Sequence, residues 1–219
     1  MRKFVLLGMA AAAVITATSA YAKEVTPLVT GGVTVKNIYI FSDLYVQTDA
    51  PVVQGWVSLN VSDTCSLDVF ASHGVSTPVG REVDVGASCR FDIAKDLHAS
   101  VTASRYLLGG SPDIIYLQAT VAYGPVDFSV NHYVVDGPNQ PATRVEVGYT
   151  MKPNKKLSVR GLVAYEHGFD LPDILVGGVE ASYAITESLS FDGVVYAKLH
   201  EGAGGTRNTR GVVGLTYNF

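Results

Sequence analysis

The sequence predicts an all-β protein: a transmembrane, antiparallel, up-and-down β-barrel of about twelve strands, with about ten as the smaller alternative. Three observations predict this fold. Apolar and polar residues alternate along segment after segment, only 16% of the 219 residues are charged, and the chain ends in an aromatic segment at Phe219. Soluble domains average about 25% charged residues, so the low fraction indicates a surface that avoids charge.

The first 22 residues resemble an export signal. Two basic residues precede an apolar stretch at 4–15, and Ala20-Tyr21-Ala22 fits an A-x-A cleavage site. A membrane anchor is the alternative, but the stretch is shorter than the roughly 20 residues that a spanning helix needs. We therefore expect residues 1–22 to be a cleaved signal and residues 23–219 to form the barrel in the outer membrane.

The remaining chain divides into segments of strand length with period-two alternation. In the last segment, Val213, Leu215 and Tyr217 fall on one face, while Arg210 and Thr216 fall on the other. The predicted strands in chain order are 33–41, 52–61, 64–73, 81–93, 97–107, 113–123, 125–135, 143–151, 157–166, 174–185, 189–199 and 210–219.

Short connectors alternate with longer ones along the chain. The short connectors are 62–63, 95–96, 124–125, 152–154 and 186–187. The longer connectors are 42–51, 74–80, 109–112, 136–142, 168–172 and 202–206. Both chain ends then lie on the side of the short turns, which is typical of outer-membrane barrels with an even number of strands.

Glycine pairs such as Gly31-Gly32 are interpreted as bends in the chain.

A soluble two-sheet sandwich alternates in the same way, because it buries its apolar face. Strands in lipid must pair every backbone N–H and C=O, so they close into a barrel with an apolar exterior. The regular apolar face, the scarcity of charge and the aromatic residues near strand ends favour the barrel. Those aromatic residues, expected as interfacial girdles, are Tyr39, Phe41, Tyr123, Tyr149, Tyr165, Tyr183, Tyr217 and Phe219.

The segment 37–74 reads NIYIFSDLYVQTDAPVVQGWVSLNVSDTCSLDVFASHG, and its most specific piece is QTDAPVVQG at 47–55. This piece and YLQATVAYGP at 116–125 resemble the Gcw_chp family of TorF-type porins, which are proteobacterial outer-membrane proteins. The chain departs from the family at Ser42-Asp43, where members usually carry Arg-Gly, and in having two cysteines. The resemblance implies an outer-membrane barrel with a pore and supplies no substrate.

Cys65 and Cys89 fall on successive predicted strands whose connector is centred near position 77. In an antiparallel hairpin of that register the two residues face each other, with Cβ atoms about 4.5–5.5 Å apart. Export to an oxidising compartment favours a bond. We predict a cross-strand disulfide, with two free thiols as the alternative. Two cysteines without matching histidines supply too few zinc ligands, so we predict no metal site and no cofactor.

With the bulky apolar face outward, the opposite face defines a predicted lumen. The predicted lumen-lining residues are Lys36, Gln54, Trp56, Asp68, Glu82, Asp84, Arg90, Asp92, Asp127, Arg144, Glu146, Arg160, Glu166, Glu180, Asp192, Lys198 and Arg210. Gln54 and Trp56 are expected at the mouth. Twelve strands spaced about 4.8 Å apart and tilted near 40° enclose a backbone radius of roughly 12 Å, which side chains narrow.

Two hypotheses for this interior stay open. One is a narrow conduit that passes cations or small polar solutes, since the predicted lumen residues include nine acids and six bases. The other is a closed interior whose salt bridges satisfy one another, in a barrel with a structural or surface-binding role through its acidic outer loops.

Enzymatic activity is the least favoured alternative. The histidines, at 73, 98, 132, 167 and 200, are scattered, and no G-x-S-x-G nucleophile motif occurs. His132 is expected to face lipid, where an outer-membrane lipid hydrolase could use it, but Ser129 points inward in the same register, so we predict that the protein is not an enzyme.

The net charge and the distribution of basic residues indicate which partners the protein binds. The formal net charge of −4, without basic clusters, excludes nucleic acid. The expected partners are outer-membrane lipid and the barrel-assembly machinery, which would recognise the C-terminal strand ending in Phe219.

Overall fold

The computed structural model describes residues 28–41, 45–48, 50–75, 81–108, 113–136, 141–168, 171–201 and 209–219. The predicted signal, residues 1–22, lies outside these residues. Within the described ranges, no helix is long and apolar enough to cross a membrane.

The described part of the chain forms fourteen strands. They are β1 (Val29–Lys36), β2 (Tyr39–Phe41), β3 (Tyr45–Thr48), β4 (Val52–Asn60), β5 (Cys65–Gly74), β6 (Glu82–Ala94), β7 (Leu97–Leu108), β8 (Ile114–Tyr123), β9 (Val126–Val135), β10 (Ala142–Met151), β11 (Leu157–Gly168), β12 (Leu171–Ala184), β13 (Leu189–Glu201) and β14 (Thr209–Asn218). Twelve of them close into one barrel in the order β1-β14-β13-β12-β11-β10-β9-β8-β7-β6-β5-β4, and β2 pairs with β3 alone.

Strand β1 closes the barrel because it pairs with both β4 and β14. Gly32 lies opposite Trp56 on one side and opposite Asn218 on the other. The backbone N–H of Phe219 donates to the Gly31 carbonyl at 3.0 Å, and the Gly31 N–H donates back at 3.1 Å. Every barrel strand is therefore paired on both sides, so the predicted twelve-strand antiparallel barrel is confirmed and the sandwich is excluded.

Side chains alternate between an apolar outer face and an inner face. On β14, Val213, Leu215 and Tyr217 are about half exposed, whereas Val212, which precedes them, is only 7% exposed. The other barrel strands alternate in the same way. In the antiparallel registers an outward residue lies opposite another outward residue, as Val147 lies opposite Val163. The outer face is consequently a continuous belt of exposed valine, leucine, phenylalanine and tyrosine side chains.

The first predicted strand, 33–41, is wrong as a single element. Strand β1 ends at Lys36, and Tyr39–Phe41 belongs to the β2–β3 hairpin instead of the barrel. Val33 and Val35 alternate with Thr34 and Lys36, but residues 38–41 are all apolar, so the alternation stops where the chain leaves the barrel wall.

Gly31 and Gly32 lie within β1, so their interpretation as bends is also wrong. A Cβ on Gly32 would lie 2.3 Å from the Trp56 ring and 2.8 Å from the Tyr217 carbonyl oxygen. A Cβ on Gly31 would lie 2.8 Å from the Phe219 ring. The two glycines therefore leave room for one large ring on each face of the closing strand.

The connector at 168–172, expected to be longer, is tight. Gly168 pairs with Leu171, the first residue of β12. Gly168 has a φ of 121°, a conformation that favours glycine, and a Cβ there would lie 2.3 Å from the Pro141 carbonyl oxygen.

The predicted disulfide is confirmed. Cys65 and Cys89 are directly opposite each other in the register of β5 and β6 and are covalently bonded, with Cα atoms 4.1 Å apart. They occupy outer-face positions, in line with Leu67 and Phe91. The bond joins the two strands beside the short turn that precedes Cys65.

We predict that Gly32→Ala destabilises the barrel by about 1–3 kcal/mol, because the added methyl group has no space between Trp56 and the β14 backbone. The matched control is Gly161→Ala in β11, where a Cβ meets nothing within 4 Å and the free energy of unfolding should not fall. Urea unfolding of detergent-folded protein, followed by circular dichroism, measures both variants. Equal destabilisation by the two substitutions would contradict the packing described for β1.

Candidate functional site

The barrel interior is the candidate functional site. The strand registers place predicted lumen residues opposite one another, as Arg144 is opposite Glu166 and Arg160 is opposite Glu180. Trp56 lies in the middle of β4 and packs over Gly32, away from either mouth. Whether these residues line an open path stays a prediction.

Two of the predicted residues belong to the rim. Arg90 and Asp92 lie near the short turn between β6 and β7, with side chains 64% and 72% exposed. Asp92 lies 2.6 Å from His98 Nδ1 and accepts from Arg90 Nε at 3.3 Å. They mark the end of the barrel that carries the short turns.

Arg160 is the centre of an ionic network on the inner wall. Its Nη2 donates to Asp127 Oδ1 and Glu146 Oε1, each at 2.5 Å, and its Nη1 donates to Glu180 Oε2 at 3.4 Å. Gly148 makes room for the guanidinium group, because a Cβ there would lie 2.4 Å from Arg160 Nη2.

The network continues through Arg144, which is buried on β10. Its Nη2 donates to Glu146 Oε2 at 2.5 Å, and its Nη1 lies 4.0 Å from Glu166 Oε2. At the other end, the Tyr196 hydroxyl donates to Glu180 Oε1 at 2.7 Å. The network thus crosses five neighbouring strands, β9 to β13, with four carboxylates against two guanidinium groups. Pairing of this kind is what makes charge tolerable in a low-dielectric interior.

Asp192 is held by hydroxyl groups instead of a cation. It accepts hydrogen bonds from Ser182 at 2.5 Å, from Thr216 at 2.6 Å and from Ser190 at 3.1 Å. The Thr216 hydroxyl also contacts the Thr34 hydroxyl at 2.7 Å, which ties this group to the closing strand. Among the described residues, no ion pair within 4 Å involves Asp192, so this carboxylate adds to the acidic character of the wall.

Between β1 and β4 the chain enters the barrel. Tyr39 is buried, and its hydroxyl donates a hydrogen bond to Glu82 at the start of β6. The expectation that Tyr39 belongs to an outer aromatic girdle is therefore wrong. We refer to Ile38, Tyr39 and Ile40 as the inward segment.

The inward segment borders two cavities inside the barrel. The larger cavity, of about 440 Å³, lies against β10 to β14 and is lined by Lys36, Arg160, Glu180 and Asp192 among others. The smaller cavity, of about 230 Å³, lies against β5 to β9. Tyr39 and Ile40 line both, so this segment narrows the interior where the two cavities approach each other.

The smaller cavity contains residues that the sequence analysis missed. Tyr106, Tyr116 and Tyr133 point inward and form part of its wall. Tyr116 lies on the same face of its strand as Gln118, and Tyr133 lies on the same face as Asn131. The alternation of the sequence therefore indicates that these rings face inward. The prediction of the lumen includes charged residues, Gln54 and Trp56, and treats tyrosine as an apolar or interfacial residue.

The histidine considered for catalysis, His132, does not meet Ser129. His132 lies on the outer face and its Nδ1 contacts Thr143 Oγ1 at 2.9 Å, whereas Ser129 faces the interior. In the described part of the chain, no three His, Cys, Asp or Glu side chains converge in a way that could hold a metal ion.

Comparisons with known proteins identify the fold. No protein-family model matches the sequence, and no curated protein matches it. The KdgM porin in complex with disordered oligogalacturonate aligns with a TM-score of 0.60 at 12% identity, over 88% of this chain and 99% of that chain. An outer-membrane channel from Pseudomonas putida F1 aligns with a TM-score of 0.62 at 12% identity, over 91% and 98%.

The NanC porin is a third structural neighbour, with a TM-score of 0.58 at 7% identity over 88% of this chain and 99% of that chain. The chain therefore has the fold of outer-membrane porins and channels. At these identities the similarity establishes the fold alone, and membership of the Gcw_chp family stays a prediction.

We predict that Arg160→Met lowers the free energy of unfolding by about 3 kcal/mol, because it leaves three carboxylates around an uncharged side chain. Arg90→Met is the matched control: this exposed arginine has one contact at 3.3 Å, and its loss should change stability by less than about 0.5 kcal/mol. Urea titration in the same detergent compares them. A tolerated Arg160→Met would show that the network is not needed to hold the wall together.

Proposed function

We propose that the protein is an outer-membrane porin that passes small polar solutes and cations through a narrow, acidic interior. The observation that carries this proposal is a closed barrel with an apolar exterior, enclosing cavities whose walls are charged. The solved porins with the same fold support the proposal at the level of architecture.

The outer face supports a location in the outer membrane. The exposed belt includes Val57 on β4, Val147 on β10 and Val195 on β13, so it surrounds the barrel. Soluble monomers rarely expose contiguous apolar patches above a few hundred Å², whereas lipid requires such a surface. We infer that an export signal at residues 1–22 delivers the barrel there, with the membrane lipid as its partner.

The C-terminal strand supports a second partner in assembly. Phe219 is 62% exposed on the outer side of the seam between β1 and β14. An exposed aromatic ring at the end of the closing strand is available to the barrel-assembly machinery before closure.

The interior charge supports a preference for cations. The ionic network retains two more carboxylates than guanidinium groups, and Asp192 adds a further carboxylate to the larger cavity. Lys36 lines the same cavity and offsets part of this charge. Fixed negative charge in a narrow, low-dielectric space raises the local concentration of cations.

A second candidate function, a closed barrel with a structural role, is favoured by the ionic network itself. Arg160 binds Glu146 of the neighbouring strand at 2.5 Å, and Arg144 binds Glu146 of its own strand at 2.5 Å, as expected for an interior that satisfies its own charges. A surface-binding role has less support, because Asp113 pairs with Arg105 at 2.8 Å and Asp173 lies 2.5 Å from His167.

Conduction is tested by inserting purified, refolded protein into planar bilayers. We predict discrete current steps, and steps about twofold larger for Tyr39→Ala, because this substitution removes the phenol ring and its bond to Glu82 from the region that borders both cavities. Tyr123→Ala, on the outer face, is the control and should conduct like the parent protein.

Silent membranes would support the closed barrel instead. Insertion has to be shown independently in that case, by protease protection of the barrel in vesicles. A Tyr39→Ala variant that conducts like its parent would contradict the constriction assigned to the inward segment.

A further inference from the structure

The smaller cavity has a composition that conduction alone does not require. Its wall consists of Tyr39, Ile40, Phe70, Glu82, Asp84, Tyr106, Tyr116 and Tyr133. Five aromatic rings therefore surround two carboxyl groups in a space of about 230 Å³.

Three of the rings form a continuous wall on adjacent strands. Tyr106 and Tyr116 stack with ring centroids 5.4 Å apart, and the centroids of Tyr116 and Tyr133 are 5.2 Å apart. Buried Ile114 and Ala142 pack in the same cluster, and the Tyr116 hydroxyl donates to Asn131 at 2.8 Å. Because the rings stand on barrel strands and pack against a core, the wall is preformed.

Phe70 and the inward segment complete the enclosure. Phe70 on β5 lies directly opposite Asp84 on β6 in the strand register. Tyr39 contributes its ring from within the barrel and is anchored by its hydrogen bond to Glu82.

The two carboxyl groups face this aromatic enclosure. Glu82 and Asp84 are two residues apart on β6, so both side chains point to the same side of the strand. The ion pairs found among the described residues involve neither of them. Asp84 Oδ1 is buried and has no hydrogen-bond partner in the described structure, an arrangement that is costly without a ligand.

The aromatic rings and the two carboxyl groups together indicate which kind of ligand suits the smaller cavity. The face of an aromatic ring carries negative potential and attracts cations, most strongly where water is excluded. Calcium takes about six to eight oxygen ligands and prefers carboxylate and carbonyl oxygens, whereas the oxygens of this cavity beyond the two carboxyl groups are phenol hydroxyl groups on aromatic rings. An organic cation suits both the carboxyl groups and the rings, since its charge interacts with the carboxylates and its alkyl groups pack against the rings.

We propose that the smaller cavity binds a small organic ammonium ion, which contacts Glu82 and Asp84 through its charge and the tyrosine rings through its alkyl groups. At about 230 Å³ the cavity is smaller than typical ligand pockets of about 300–1,000 Å³, so the ligand has to be small. The site requires only the folded barrel, and binding at equilibrium is independent of whether the barrel conducts.

Isothermal titration of detergent-folded protein with choline chloride tests the proposal. Choline should bind at least tenfold more tightly than 3,3-dimethylbutan-1-ol, which has the same shape and no charge. Asp84→Asn should weaken choline binding at least tenfold, and Tyr106→Leu at least fivefold. Asp68→Asn is the matched control, because Asp68 faces inward on β5 and accepts from Ser66 outside the cavity, so its affinity should change less than twofold.

Several outcomes would overturn the proposal. One is an affinity for choline equal to that for its neutral analogue. Another is a loss of choline binding in Asp68→Asn as large as in Asp84→Asn. A third is the absence of any heat of binding at millimolar choline. Binding of glucose but not choline would assign the aromatic wall to a neutral sugar. Each variant is first shown to be a folded barrel by circular dichroism, and Tyr106→Leu provides an independent test if Asp84→Asn fails to fold.

Discussion

The hydrogen-bonded seam between β1 and β14 is the constraint on which the rest of the structure depends. An open sheet in lipid would leave a row of unpaired N–H and C=O groups along each edge, so the ladder has to close. Closure is made by the paired backbones of Gly31 and Phe219, and the glycines of β1 allow the rings of Trp56 and Phe219 to pack there. Once the ring of strands is complete, every second side chain must face a common interior.

That interior has two chemically different halves. On the β9 to β13 side, Arg144 and Arg160 tie carboxylates of neighbouring strands into one network. On the β5 to β9 side, tyrosine rings surround the carboxyl groups of Glu82 and Asp84, away from any described ion pair. The inward segment borders both halves. The first half stabilises the wall, and the second is the part of the interior equipped to recognise a ligand.

Much of this fold follows from the sequence because a barrel in lipid imposes a strict period of two. The alternation of Val213, Leu215 and Tyr217 with polar residues was enough to place β14, and the symmetry of one hairpin was enough to pair Cys65 with Cys89. The path of Tyr39 into the barrel was not predictable, because the loss of alternation after Lys36 marks the end of β1 without specifying where the chain goes next. The partners of Arg160 were also not predictable, since they depend on the register and stagger of strands far apart in sequence.

Closure of the barrel gathers an excess of carboxylates into a narrow space, and we propose that they act on passing ions. The reversal potential of single channels between unequal KCl solutions tests this proposal. We expect a reversal potential on the side of potassium permeation, which moves toward zero when Glu180 and Asp192 are both replaced by their amides. A chloride-selective channel, or a potential that ignores these two replacements, would contradict it.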